Sequence, residues 1–131
     1  MLDTNIISDL VRNPAGWAAR RVRTVDSADI CTSIVVAAEL RYGCARKNAP
    51  RLRARVEALL RTIPVLPLDY PADAEYGEIR VSLEASGRTI GANDLLIGAH
   101  ARALGMTLVT GNGREFGRIP GLAVENWLDG P

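Results

Sequence analysis

Three acidic residues, Asp3, Glu39 and Asp94, stand where packing alone gives no reason for an acid. Asp3 directly follows a short apolar start and precedes a helix-forming run. In open α/β sheets, ligands bind beyond the carboxyl ends of strands, at just such a handover. Glu39 lies three and four residues after Val36 and Val35 and four before Gly43, which puts it on the apolar face of its helix. Asp94 falls in a first helical turn, with Ile97, Gly98 and Ala101 following on the same side. A buried carboxylate costs several kcal/mol unless it is paired or bound to a metal. Taken singly, each acid has a plain explanation: a helix cap for Asp3, a cap or first-turn acid for Asp94, a buried pair with an arginine for Glu39. One divalent cation accounts for all three. Hard cations such as Mg²⁺ and Mn²⁺ take oxygen ligands, often a few carboxylates completed by water and substrate phosphate.

Other chemistries find less support. His100, the only histidine, lies six residues past Asp94 and off that acid's helical face, which suits packing or surface. No Ser/His/Asp or Cys/His set assembles around it. Neither the phosphate-loop pattern nor the dinucleotide fingerprint is present. The run Asp3-Thr4-Asn5 lacks the second aspartate an aspartyl-phosphate enzyme requires. Cys31 and Cys44 sit in apolar segments without metal-type spacing and read as reduced core thiols. Tyr42, Tyr70, Tyr76, Phe116, Trp17 and Trp127 look too scattered to form a base-stacking platform.

The acids need elements to carry them, and the pattern alternates short β-type runs with longer helical ones. This predicts a three-layer α/β fold with a mainly parallel sheet. Met1–Asp3 reads as the end of a short first strand, followed by a helix from Thr4 with Ile7, Leu10 and Val11 on one face. Trp17 to Val25 reads as a second helix and Asp29–Thr32 as a strand. Ser33 is placed to cap a helix running to about Arg46. A helix over Ala49 to Thr62, rich in outward arginines, precedes a proline-interrupted strand, Ile63–Leu68. Pro71 opens a helix ending near Gly87, and Asn93 to Leu104 forms another that Gly105 stops. Met106–Thr110 and Leu122–Val124 supply the last strands.

The chain of 131 residues is expected to be one domain, 1–131, with 47% hydrophobic and 24% charged residues, which argues against disorder. No apolar run approaches the roughly 18 residues of a membrane span. The start has no signal-peptide character, so a cytoplasmic protein is expected. The net charge of +1 hides an asymmetry. Residues 12–61 hold ten arginines and Lys47 against four acids, whereas residues 62–131 hold five arginines against nine acids. A basic half beside an acidic one fits a polyanion partner near an acidic site.

At these residues the sequence resembles PIN-domain ribonucleases, and among them the VapC toxins of bacterial toxin–antitoxin pairs. The first matching block is Leu2-Asp3-Thr4-Asn5, continued by Ile6-Ile7-Ser8. The second runs from Ser33 to Gly43, where Glu39-Leu40-Arg41-Tyr42-Gly43 echoes the family's E-L-x-x-G. The third is Ile90-Gly91-Ala92-Asn93-Asp94-Leu95-Leu96-Ile97-Gly98-Ala99. The fourth is Leu108-Val109-Thr110-Gly111-Asn112, with Arg114-Glu115-Phe116 and Ile119-Pro120-Gly121-Leu122 after it. The blocks occur in order and cover nearly the whole chain. Two features depart from many relatives: Asn112 stands where they carry aspartate, and the first strand is short.

The resemblance implies a three-layer α/β/α PIN-like domain whose acids Asp3, Glu39 and Asp94 bind Mg²⁺ or Mn²⁺ and cut RNA, with Asn112 completing the catalytic set. Thr4 and Thr110 are expected to orient the carboxylates, and Glu115 is a candidate for the charge that Asn112 lacks. Arg41, Arg46, Lys47 and Arg51 are expected to hold the RNA backbone. Cleavage would leave a 5′-phosphate and a 3′-hydroxyl on a tRNA or rRNA target. The implied partners are a cognate VapB-type antitoxin and a second copy of the chain, giving a homodimer and a heterotetramer or larger assembly with antitoxin. The alternative is a PIN-like module that binds RNA or protein without cutting.

Overall fold

The computed structural model describes residues 1–130; Pro131, the last residue of the expected domain, lies outside the described residues. Short parallel strands form the centre: β1 (Thr32–Ser33), β2 (Val65–Leu66), β3 (Leu108–Val109) and β4 (Val124–Glu125). β1 pairs with β2 and β3 with β4, and Leu2 bridges Thr32 on one side and Val109 on the other. The order is therefore β2-β1-Leu2-β3-β4, all parallel. The first strand is reduced to this bridge, yet its backbone is fully engaged: Leu2 N donates to Cys31 O at 2.8 Å and Asp3 N to Val109 O at 2.9 Å.

The other strands are shorter than expected. Pro64 and Pro67 flank β2 and have no N–H to donate, which trims the expected Ile63–Leu68 to Val65–Leu66. Asp29 does not begin a strand; it ends a 3₁₀ turn, Ser27–Asp29, capped by Asp26, whose carboxylate accepts from Ala28 N at 3.0 Å. The last strand shifts from Leu122–Val124 to Val124–Glu125.

Among the described residues, seven α-helices complete the fold: α1 (Thr4–Arg12), α2 (Trp17–Thr24), α3 (Ile34–Lys47), α4 (Pro50–Leu60), α5 (Ala72–Ala85), α6 (Ala92–Ala103) and α7 (Gly113–Phe116). α1 buries Ile6 and Ile7 completely and packs on α2, α3 and α4, while α5 lies along α6. Parallel crossovers are right-handed, and the strand order reverses after β2, so the later connections fall on the opposite face from α1–α4. Ser33 caps α3 through its hydroxyl, which accepts from Val35 N at 3.1 Å. α6 stops at Gly105, whose φ of +65° lies in the left-handed region that glycine adopts without a Cβ penalty. Cys31 and Cys44 are buried free thiols. Among the described residues, no helix is long and apolar enough to cross a membrane.

Candidate active site

The point where the strand order reverses lies between Leu2 and β3, and both of the flanking chains lead directly into side chains with chemistry. Asp3 follows Leu2 and Thr110 follows β3. Asp3 is 4% exposed. One of its oxygens caps α1, accepting from Thr4 N at 2.8 Å, and the other accepts from the Thr110 hydroxyl at 2.7 Å. That hydroxyl also accepts from Asn112 N at 2.9 Å, so its own proton is directed at Asp3. Asn5 holds the same loop from α1, its carbonyl oxygen accepting from Gly111 N at 2.9 Å.

Glu39 reaches the site from α3. Its Oε1 accepts from the Thr4 hydroxyl at 2.6 Å and its Oε2 from Asn93 Nδ2 at 3.3 Å. The threonine that shares Asp3's helix turn therefore aims the second carboxylate, and the residue before Asp94 holds its other oxygen. α3 and α6 are tied together below by buried His100, whose Nδ1 is 2.8 Å from the Ser33 hydroxyl. Burial holds the His100 pKa below its ordinary value, and it takes no place in the site.

Asp94 is half-buried in the first turn of α6. A Cβ placed on Gly98 would stand 2.4 Å from Ile119 Cδ1, so this glycine lets α6 approach the segment after α7 closely. That approach brings Glu115 to Asp94. Burial is the largest influence on Asp94, followed by the charges of Asp3, Glu39 and Glu115; together they push its pKa up to about 6. Asp3 is raised as well, by burial first, against the lowering effect of Thr110 and Thr4 N. Asn112 Nδ2 donates to Glu115 Oε2 at 3.1 Å.

Asp3, Glu39, Asp94 and Asn112 line one open cavity of about 470 Å³, together with Thr4, Asn5, Ser8, Asp9, Arg12, Asn13 and Leu128. Among the described residues, no three Asp, Glu, His or Cys side chains converge into a ready-made metal cage. The donors nevertheless suit a hard cation, because they are all oxygens and they repel one another. Mg²⁺ is commonly held by one or two carboxylates, several waters and substrate phosphate, without an all-protein cage. The mutual repulsion recorded at Asp94 is the strain that a divalent charge relieves.

The expected RNA-contacting residues divide. The Arg41 guanidinium makes a bidentate contact with Glu57, at 3.0 and 2.9 Å. Arg46 lies 6.0 Å over the Tyr42 ring, and Arg51 is exposed near the start of α4. Lys47 lines a groove that also includes Thr4, Arg12 and Glu39. Arg12, not singled out in the sequence, lines both this groove and the carboxylate cavity. Its signal was present: it lies at helical spacing from Asn5, Ser8 and Asp9 on α1. Trp17 and Trp127, read as scattered, line a single cavity.

Comparison with known proteins gives a consistent result. A family model for the PIN domain matches residues 1–122. The chain is similar to "Ribonuclease VapC2" of Rickettsia felis, 37% identical over 129 residues, covering 97% of this chain and 96% of the relative. It is also similar to the "tRNA(fMet)-specific endonuclease VapC" of Shigella flexneri, 38% identical over 128 residues with the same coverage. Among solved structures, VapBC2 from Rickettsia felis bound to a promoter DNA fragment superposes with a TM-score of 0.90 at 35% identity, covering 97% of each chain. DNA-bound VapBC from Salmonella typhimurium gives 0.90 at 36% identity, covering 97% of this chain and 96% of that one.

Proposed function

The chain belongs to the PIN-domain family and, within it, to the VapC ribonucleases, and on that premise we propose that the cavity around Asp3, Glu39 and Asp94 is a Mg²⁺- or Mn²⁺-dependent endoribonuclease site. The observation that carries this is the convergence of those three acids and Asn112 on one cavity, with Asp94 pushed up to about 6 by its surroundings. Asp3, Asp94 and Glu39 would hold the cation. Such an ion supplies a water of lowered pKa and a counter-charge for the phosphate. Thr110 keeps both Asp3 and the Asn112 backbone in place, and Thr4 aims Glu39, so the carboxylates need little reorganisation before reaction. Asn112 lines the cavity and is hydrogen-bonded to Glu115, whose carboxylate adds charge beside the site. Arg12 and Lys47 are placed to receive the backbone of the substrate.

The substrate class is RNA, and tRNA is the first candidate because similar proteins carry tRNA(fMet) in their names. The partner is a VapB-type antitoxin, on the ground that the similar solved structures are VapBC complexes. Parallel assays on RNA, single-stranded DNA and a phosphomonoester test the reading. Cleavage of RNA with 5′-phosphate products supports it. Turnover of only DNA or the monoester contradicts it.

A further inference from the structure

A second cavity, of about 460 Å³, lies between α2 and the chain after β4 and is lined by Trp17, Arg20, Arg21, Asn126 and Trp127 among others. The Arg20 guanidinium lies 5.0 Å from the centre of the Trp17 ring, and that of Arg21 lies 5.4 Å from Trp127. Trp127 is 9% exposed and anchored, its indole N–H donating to Glu125 Oε1 at 3.2 Å. Trp17 is 48% exposed although Gly130 lies against its ring. Arg21 faces Glu125 at 3.5 Å, but Arg20 has no carboxylate partner among the described residues.

Trp17 links this cavity to an intermediate one that borders the carboxylate site. Asp9, Arg12, Asn13 and Leu128 line both the carboxylate cavity and the next one along the surface, and that intermediate cavity ends at Trp17. Asn5, Ser8, Asp9 and Arg12 recur at three- and four-residue spacing, so a polar stripe of α1 forms the floor. The surface between the carboxylates and Trp17 carries Asp9 and Arg12, and Trp17 and Arg20 lie in the cavity beyond. Single-stranded nucleic acid presents the complement, anionic phosphates alternating with planar bases.

We propose that the Trp17–Arg20 surface is an RNA-binding subsite in which a base flanking the cleaved bond stacks on Trp17 in place of the Arg20 guanidinium that lies over the ring, and Arg20 moves to the adjoining phosphate. It rests on the nuclease reading for the direction of the track, and its own test is separable from that reading. Fluorescence anisotropy measures binding of labelled single-stranded RNA to the full-length chain in EDTA, for wild type, Trp17→Ala, Trp17→Phe and Arg20→Gln. Steady-state cleavage in Mg²⁺ runs alongside, and thermal melts establish that each variant is folded. Trp17→Ala is expected to weaken binding about tenfold and to raise KM with kcat unchanged, whereas Trp17→Phe stays near wild type. Arg20→Gln, a surface change, is expected to weaken binding and flatten its salt dependence. Folded Trp17→Ala with wild-type RNA affinity and KM overturns the proposal. If wild type cuts no RNA in any cation but Trp17→Ala still loses affinity, the nuclease reading falls and the subsite stands. If wild type cuts and Trp17→Ala matches its KM, the subsite falls alone.

Discussion

The side-chain amide of Asn112 donates to Glu115 Oε2 at 3.1 Å, and the Glu115 carboxylate in turn bears on Asp94 through its charge. A carboxylate therefore stands beside the neutral residue at position 112. One turn of α7 carries a carboxylate back to the place that the amide vacates electrically.

Glu115→Gln is accordingly expected to behave as a loss of cation affinity. Partners that orient or charge a metal site typically contribute 10- to 100-fold in affinity or activity. Titrating Mg²⁺ against cleavage rate checks this: the half-saturating concentration should rise by about that factor. Cleavage at wild-type Mg²⁺ demand would place Glu115 outside the site.

The burial of Asp94, with the acids crowded around it, also sets a pH-dependent stability. Asp94 has a folded-state pKa of about 6 against an ordinary 3.8. The folded chain thus binds this proton more tightly than the unfolded chain, so stability falls as pH rises from the lower value through the higher. Asp94→Asn removes that penalty. In EDTA the variant should melt above wild type at neutral and alkaline pH, and the gap should close as the pH is lowered towards 3.8. Thermal melts across this range measure it, and a gap independent of pH would contradict the electrostatic cause.

Thr110 connects two parts of the site through one buried hydroxyl, donating to Asp3 and accepting from Asn112 N. Thr110→Val keeps the volume and removes both bonds. The expected cost is about 1–3 kcal/mol of stability, because a buried acceptor and a backbone donor lose their partners. Denaturant unfolding measures that cost. Thr110→Ser should recover much of it together with cleavage.

Ser33 plays a comparable part below the site, capping α3 and meeting His100 of α6. Ser33→Ala should destabilise by about 1–2 kcal/mol through the lost cap alone. Because α3 carries Glu39 and α6 carries Asp94, cleavage should fall as well, and a variant of normal stability would show that this contact does not hold the helices.

Arg12 and Arg41 give a paired test of the basic surface. Arg12 lines the carboxylate cavity, whereas Arg41 is engaged with Glu57. Arg12→Ala should reduce the slope of log affinity against log salt by about 0.7, one single-strand phosphate contact. Arg41→Ala should leave that slope unchanged, since an exposed ion pair contributes about 0–1 kcal/mol and no RNA contact.

Much of this arrangement was legible in the sequence, because the acids had to break local rules. Asp3 after an apolar start, Glu39 on an apolar helix face and Asp94 before a run of small residues are costly placements without a shared purpose. Ser33 as a cap and Gly105 as a stop follow from local backbone chemistry. The illegible parts depended on distance along the chain. Trp17 and Trp127 meet only after β4 returns beside α2, and Arg41 is taken by Glu57 from the next helix. The strands were overestimated because in-register pairing, not β propensity, limits each to two residues here.

Cleavage of RNA by the antitoxin-free chain in Mg²⁺ or Mn²⁺, beside EDTA and Asp94→Asn controls, tests the central claim most directly. The carboxylate site predicts discrete fragments bearing 5′-phosphates, lost both on chelation and in the folded variant. Cation-dependent cleavage that persists undiminished in folded Asp94→Asn would contradict it.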